Sequence, residues 1–152
     1  MSYSTLASAL SGYLTTAGNA MTGPPLQGGV RPGEPDNVNL PTIAFWFLGT
    51  KTWEANTLSK TQELWGWHIR IYAPVGPRYT PIDGGVEAWI SQLTQNIRAQ
   101  LYGNVSAGGA ATGVGMELTD ATTGYAQVGA IMNRVVDMEW WAMLSNVSDI
   151  AA

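Results

Sequence analysis

Gln62-Glu-Leu-Trp-Gly-Trp-His-Ile-Arg-Ile-Tyr-Ala73 alternates strictly enough to define a strand. Trp65, Trp67, Ile69 and Ile71 share one parity, and Glu63 joins them at the strand's end. Leu64, Gly66, His68, Arg70 and Tyr72 share the other. Alternate residues of a strand stand on the same face, so the first set predicts a core face and the second a mixed, more polar one. Pro74, Gly76, Pro77 and Pro81 end the run, because proline supplies no ladder donor.

Upstream, residues 42–50 read as a second strand. Ile43, Phe45 and Phe47 point one way, and Ala44, Trp46 and Leu48 the other. Both sets are apolar, which predicts that both faces are covered. A polar connection over 51–61, carrying Lys51, Glu54 and Lys60, joins the two strands. Downstream, Val86, Trp89, Ile90, Leu93, Ile97 and Leu101 form one stripe of a helix over 84–102, with Asp83 as N-cap and Gly103 past its end. A shorter helix over 4–14 shows Leu6, Leu10, Tyr13 and Leu14 on one face and no charge on the other. Between that helix and the first strand, residues 18–41 are rich in Pro and Gly and read as a long loop.

The last third starts with a Gly-rich loop at 103–115. Strands are expected at about 114–120 and 125–132, joined by Ala121-Thr122-Thr123-Gly124, and a final strand runs to about 144. In it Val136, Met138, Trp140 and Leu144 predict a core face; Val135, Asp137, Glu139, Trp141 and Met143 predict a mixed one. Trp140 and Trp141 therefore face opposite ways. One long and one short helix suffice to cover one sheet face only, so Trp141 is expected at a subunit contact, where aromatic residues are enriched. No repeat or second domain is evident, and residues 1–152 read as a single α+β domain.

Composition narrows the function. Only 12% of residues are charged, about half the ~25% of an average soluble domain, and the first charged residue is Arg31. The chain nevertheless holds 7 Trp, 6 Tyr and 6 Met. So much aromatic surface with so little charge predicts cover by neighbours. The net charge of −4 and the absence of Lys/Arg runs argue against binding through phosphate neutralisation. With no cysteine, disulfides, thiolate metal sites and cysteine nucleophiles are excluded. No apolar stretch approaches the roughly 20 residues of a membrane span, and no basic leader is seen, so neither membrane insertion nor secretion is expected.

Catalytic signals are sparse. His68 is the sole histidine; as a general base it would need Glu117, Asp137 or Glu139 to orient it, and no nucleophile motif accompanies it. A surface or interface histidine is the plainer reading. The stretch Gly108-Gly109-Ala-Ala-Thr-Gly113-Val-Gly115 lacks the Gly-Lys-Ser/Thr ending of a nucleotide loop and precedes a strand instead of a helix. Scattered carboxylates with one histidine show no metal-ligand spacing. No cofactor, metal or catalytic residue is expected.

The Leu6-to-Leu14 helix, Leu40-Pro-Thr-Ile-Ala-Phe-Trp-Phe, Trp65-Gly-Trp-His-Ile-Arg-Ile-Tyr-Ala, the helix from Gly85 to Tyr102 and Asn133-Arg-Val-Val-Asp-Met-Glu-Trp-Trp follow one another in an order that resembles the tail-terminator family of long-tailed bacteriophages. The resemblance covers most of the chain and is one of pattern, without a diagnostic short motif. It implies a mainly antiparallel sheet packed on one face by the long and the short helix. It also implies a hexameric ring of copies in the virion, built in the host cytoplasm. Such a ring caps the major tail tube protein at its head-proximal end, meets the head-completion or connector protein, and passes DNA through its lumen without specific binding. On that reading Trp46, Trp53, Trp141 and Met143 are candidates for subunit contacts, and His68, Arg70 and Tyr72 for a polar surface or lumen face. Another neck, tube or baseplate protein remains an alternative. So does a small cytosolic ligand-binding domain or enzyme.

Overall fold

The computed structural model describes residues 3–21, 26–36, 40–53, 62–75, 85–104, 116–118 and 120–145. It is an α+β fold. Helix α1 (Tyr3–Asn19) precedes strands β1 (Gly29–Pro32), β2 (Thr42–Trp53) and β3 (Gln62–Ala73). Helix α2 (Gly85–Gly103) then leads to β4 (Met116–Leu118), β5 (Thr122–Val128) and β6 (Ile131–Ser145).

The six strands fill five positions of one mixed sheet, in the order β1-β2-β3-β6 and then β4 with β5. Among the described residues only β1 with β2 is parallel; the other pairings are antiparallel. β4 and β5 lie end to end along the far side of β6. Leu118 pairs with Trp140 and Thr122 with Asp137, so three residues of one side span two of the other. That slip of one residue has the count of a β-bulge. β2 carries a second irregularity, with Leu48 as the extra residue between Phe47, paired with Trp67, and Gly49, paired with Gly66. Gly49 takes a φ of 122°, a conformation that side chains with a Cβ rarely adopt.

Both helices pack on one face. Leu6, Leu10, Leu14 and Ala17 of α1 and Val86, Trp89, Ile90, Leu93, Ile97 and Leu101 of α2 join Ile43, Phe45, Trp67, Ile69, Ile71, Val136, Met138, Trp140 and Ala142 in one core. The parities expected for β2, β3 and β6 hold throughout this set. At its centre the Trp67 and Trp140 rings lie 5.4 Å apart at 48°, with Phe47 set edge-on against Trp67 at 5.2 Å.

Several boundaries differ from expectation. α1 is 17 residues long, close to the 19 of α2, so the pair is not one short helix and one long. Its last turn leans on tertiary support: the Asn96 amide of α2 donates to the Ala17 carbonyl at 3.4 Å, one of the carbonyls a helix end leaves unsatisfied. The Thr15 and Thr16 hydroxyls donate to Ser11 and Gly12 carbonyls one turn back. The 18–41 segment is not wholly loop, since β1 lies within it. Most of the Gly-rich 103–115 loop lies outside the described residues. In the last third the turn falls at Gly129-Ala130, and 122–124 belong to β5.

Candidate functional site

The sheet face away from the helices carries the polar residues that the alternation of 62–73 foretold. Register aligns them: Trp46 pairs with His68 and His68 with Glu139, while Ala44, Arg70, Asp137 and Thr122 form the next like-facing row. The sheet thus converges side chains from four strands that no sequence proximity joins.

Asp137 is the hub. His68 Nε2 stands 2.6 Å and Arg70 Nε 2.5 Å from the same oxygen, Asp137 Oδ1. An ionised carboxylate can only accept, so at this contact the His68 proton sits on Nε2. The Trp46 ring lies flat on the imidazole, with centroids 4.5 Å apart and planes 15° apart. The Arg70 guanidinium stands 5.7 Å from the Trp46 ring and 5.8 Å from that of Tyr72. Burial alone would raise the Asp137 carboxyl pKa; hydrogen bonds from His68 and Arg70, with their charges, outweigh burial and hold it below the usual carboxylate value. For Arg70 burial works against the charge, and Asp137 together with Tyr72 more than restores it. Burial raises the Tyr72 hydroxyl.

An open cleft of about 420 Å³ adjoins this hub, lined by His68, Asp120, Thr122, Asp137, Met138 and Glu139. It lies where the β4–β5 edge is interrupted, between Leu118 opposite Trp140 and Thr122 opposite Asp137. Chemically the cleft offers carboxylates and one imidazole. The carboxylate that would orient the imidazole already serves Arg70, and among the described residues no hydroxyl is hydrogen-bonded to His68. No group of three or more His, Asp or Glu residues that could hold a metal ion stands together among the described residues. The arrangement braces β3 to β6 and gives the face a fixed polar pattern.

The other expected site residues fall as follows. Trp46 is half-buried on His68. Trp53 pairs with Gln62 at the end of β2, and its side chain lies outside the described residues. Tyr72, expected at a polar surface, is buried with Ala44 and Val135. Trp141 and Met143 stand on the expected face but are only 6% and 8% exposed, packed with Leu64. The Trp141 indole N–H donates to Glu139 at 3.0 Å, Lys51 Nζ sits 4.1 Å over its ring, and the ring fills the space above Gly66. Trp141 and Met143 therefore leave little surface open on this face. Sequence reasoning named Asp137 among three partners for His68. It missed Trp46 on the imidazole and Lys51 on Trp141, which only the register reveals.

No helix of the described residues is long and apolar enough to cross a membrane. A scan against protein-family models finds no match to this chain, and a search of curated proteins finds none.

Proposed function

We propose that this chain is a structural subunit of a long-tailed phage virion, forming a ring at the head-proximal end of the tail tube. The ring stops tube polymerisation and provides the joint to the head connector. The observation that carries this reading is the order of elements: a helix, strands β1 to β3, a second helix and strands β4 to β6, with both helices on one face of a mainly antiparallel sheet. That order is the one on which the resemblance to tail terminators rests. The 12% charged content supports it, since a surface this poor in charge suits a protein covered by neighbours. The work is mechanical in this reading, with no cofactor, and the acidic balance lets DNA pass without adhering.

The test adds purified protein to a growing tail-tube reaction, with mass measured by light scattering and ends viewed by electron microscopy. A terminator shortens the tubes and leaves a ring at one end. A tube protein lengthens them, which would move the chain to the alternative of another tube, neck or baseplate part. The cleft beside His68 favours a second reading, a small enzyme or ligand-binding domain. It carries less, because the one imidazole there is committed to Asp137, which also serves Arg70. His68→Gln with unchanged tube capping supports the structural reading.

A further inference from the structure

Natural sheets guard their edges with charge, proline, bulges or short length. The β1 edge is guarded in this way, being four residues long and holding Arg31 and Pro32. The β5 edge is not. It runs seven residues with neither charge nor proline, and residues 121–133 carry no charged side chain at all. Its hairpin also projects: β6 starts at Ile131, yet pairing with β3 begins only at Arg134. Ile131 and Met132 are 54% and 50% exposed, and as strand neighbours they face opposite ways, so the tip is apolar on both faces. Asn133, fully buried, donates to the Ala126 and Ile131 carbonyls and holds the hairpin as a preformed arm.

A second uncovered place lies across the sheet. Pairing of β1 with β2 stops at Phe45, and beyond it no described strand flanks the outer side of β2. There Leu48, the bulge residue, is 42% exposed. β3 and β6 separate this edge from β5, so one chain cannot bring the two together. The strand senses suit a contact between copies: β2, β3, β6 and β5 alternate in direction, so β5 of one copy placed beside β2 of another is antiparallel.

We infer that the β5–β6 hairpin of one copy docks along the outer edge of β2 in a second copy, with Ile131 and Met132 reaching Leu48. Pairing β5 with β5 of a twin would leave Leu48 and the outer edge of β2 uncovered among the described residues; pairing β5 with β2 covers both and repeats from copy to copy. Such a heterologous contact closes a ring when its rotation permits and otherwise runs on as a filament. The inference rests on the self-association in the proposed function and names the surfaces that make it.

The absence of cysteine makes the test direct. Leu48→Cys, Met132→Cys and the double variant are treated with a short bismaleimide, after circular dichroism confirms the fold of each. The expected result is a ladder beyond dimer in the double variant and none in either single variant. Dimers from Met132→Cys alone would overturn the inference in favour of a hairpin-to-hairpin contact. An uncross-linked double variant that light scattering shows to be oligomeric would overturn these surfaces while leaving the ring intact. A strict monomer at high concentration would overturn self-association and leave the arm to a different protein.

Discussion

Gly66 and Trp141 pair across β3 and β6, and the absent side chain of one makes room for the ring of the other. A Cβ at Gly66 would overlap the six-membered ring of Trp141, so Gly66→Ala must displace the indole or the strand. Forcing atoms into a packed site costs about 1–3 kcal/mol, which a thermal melt resolves. Trp141→Ala opens the same site from the other side and should cost about 3–5 kcal/mol, as should Trp140→Ala in the main core. Parity alone sets these two tryptophans apart as core and contact residues; burial makes both destabilising on truncation, and a folded, fully stable Trp141→Ala would count against this packing. Asp137 gives a pH signature. Its folded pKa is depressed, so its stabilisation is complete above the unfolded carboxyl value of ~3.9 and is lost as pH falls through the lower folded value. Asp137→Asn should lower stability at neutral pH by about 1–3 kcal/mol, as expected when a charged hydrogen-bond acceptor is removed. It should also flatten the acid limb of a melting-temperature profile. An unchanged acid limb would remove Asp137 as the hub.

At the scale of elements, what could be read in advance follows from where each pattern gets its support. β3 and α2 were legible because their own periodicity matches the face they bury, and no distant residue had to be known. The polar face was legible as a face, but its network was not: His68, Arg70 and Asp137 meet only because β3 and β6 pair in one register. β1 was hidden for the opposite reason. Gly-Val-Arg-Pro has no alternation, and it becomes a strand through parallel pairing with β2 and through Thr42, whose hydroxyl donates to the Gly29 carbonyl at 2.8 Å. The end of α1 needed Asn96 from the other helix. The hairpin turn was misplaced because Thr122-Thr123-Gly124 has turn-like composition, whereas the chain reverses at Gly129-Ala130. Gly129 holds a φ of 62°, and that conformation costs an ordinary L-residue about 1–2 kcal/mol. Gly129→Val should therefore destabilise by roughly that amount or more, with Gly129→Asn milder because Asn tolerates the left-handed region. Equal melts for the two variants would argue against this turn geometry.

The molecule as a whole is a sheet insulated on one side by two helices and patterned on the other by a polar brace. Its two irregularities fall at one level. The bulge of β2 follows Phe47, the break of the far edge follows Leu118, and both residues stand on the rung that runs through Trp67 and Trp140. Bulges increase local twist, so both irregularities act on the sheet next to this rung. The indoles there have an optical consequence. Two rings 5.4 Å apart and inclined at 48° are close enough for their transition dipoles to couple, and the inclination makes the coupled pair chiral. The far-ultraviolet dichroism should carry a bisignate band on top of the helix and strand signal. Trp140→Phe should weaken it, leaving the Trp65–Trp67 pair at 6.5 Å and 33°; Trp67→Phe, which breaks both pairs, should abolish it, and conditions that loosen side-chain packing while sparing secondary structure should erase it first. The chain thus carries its own gauge of tertiary order, readable without a label.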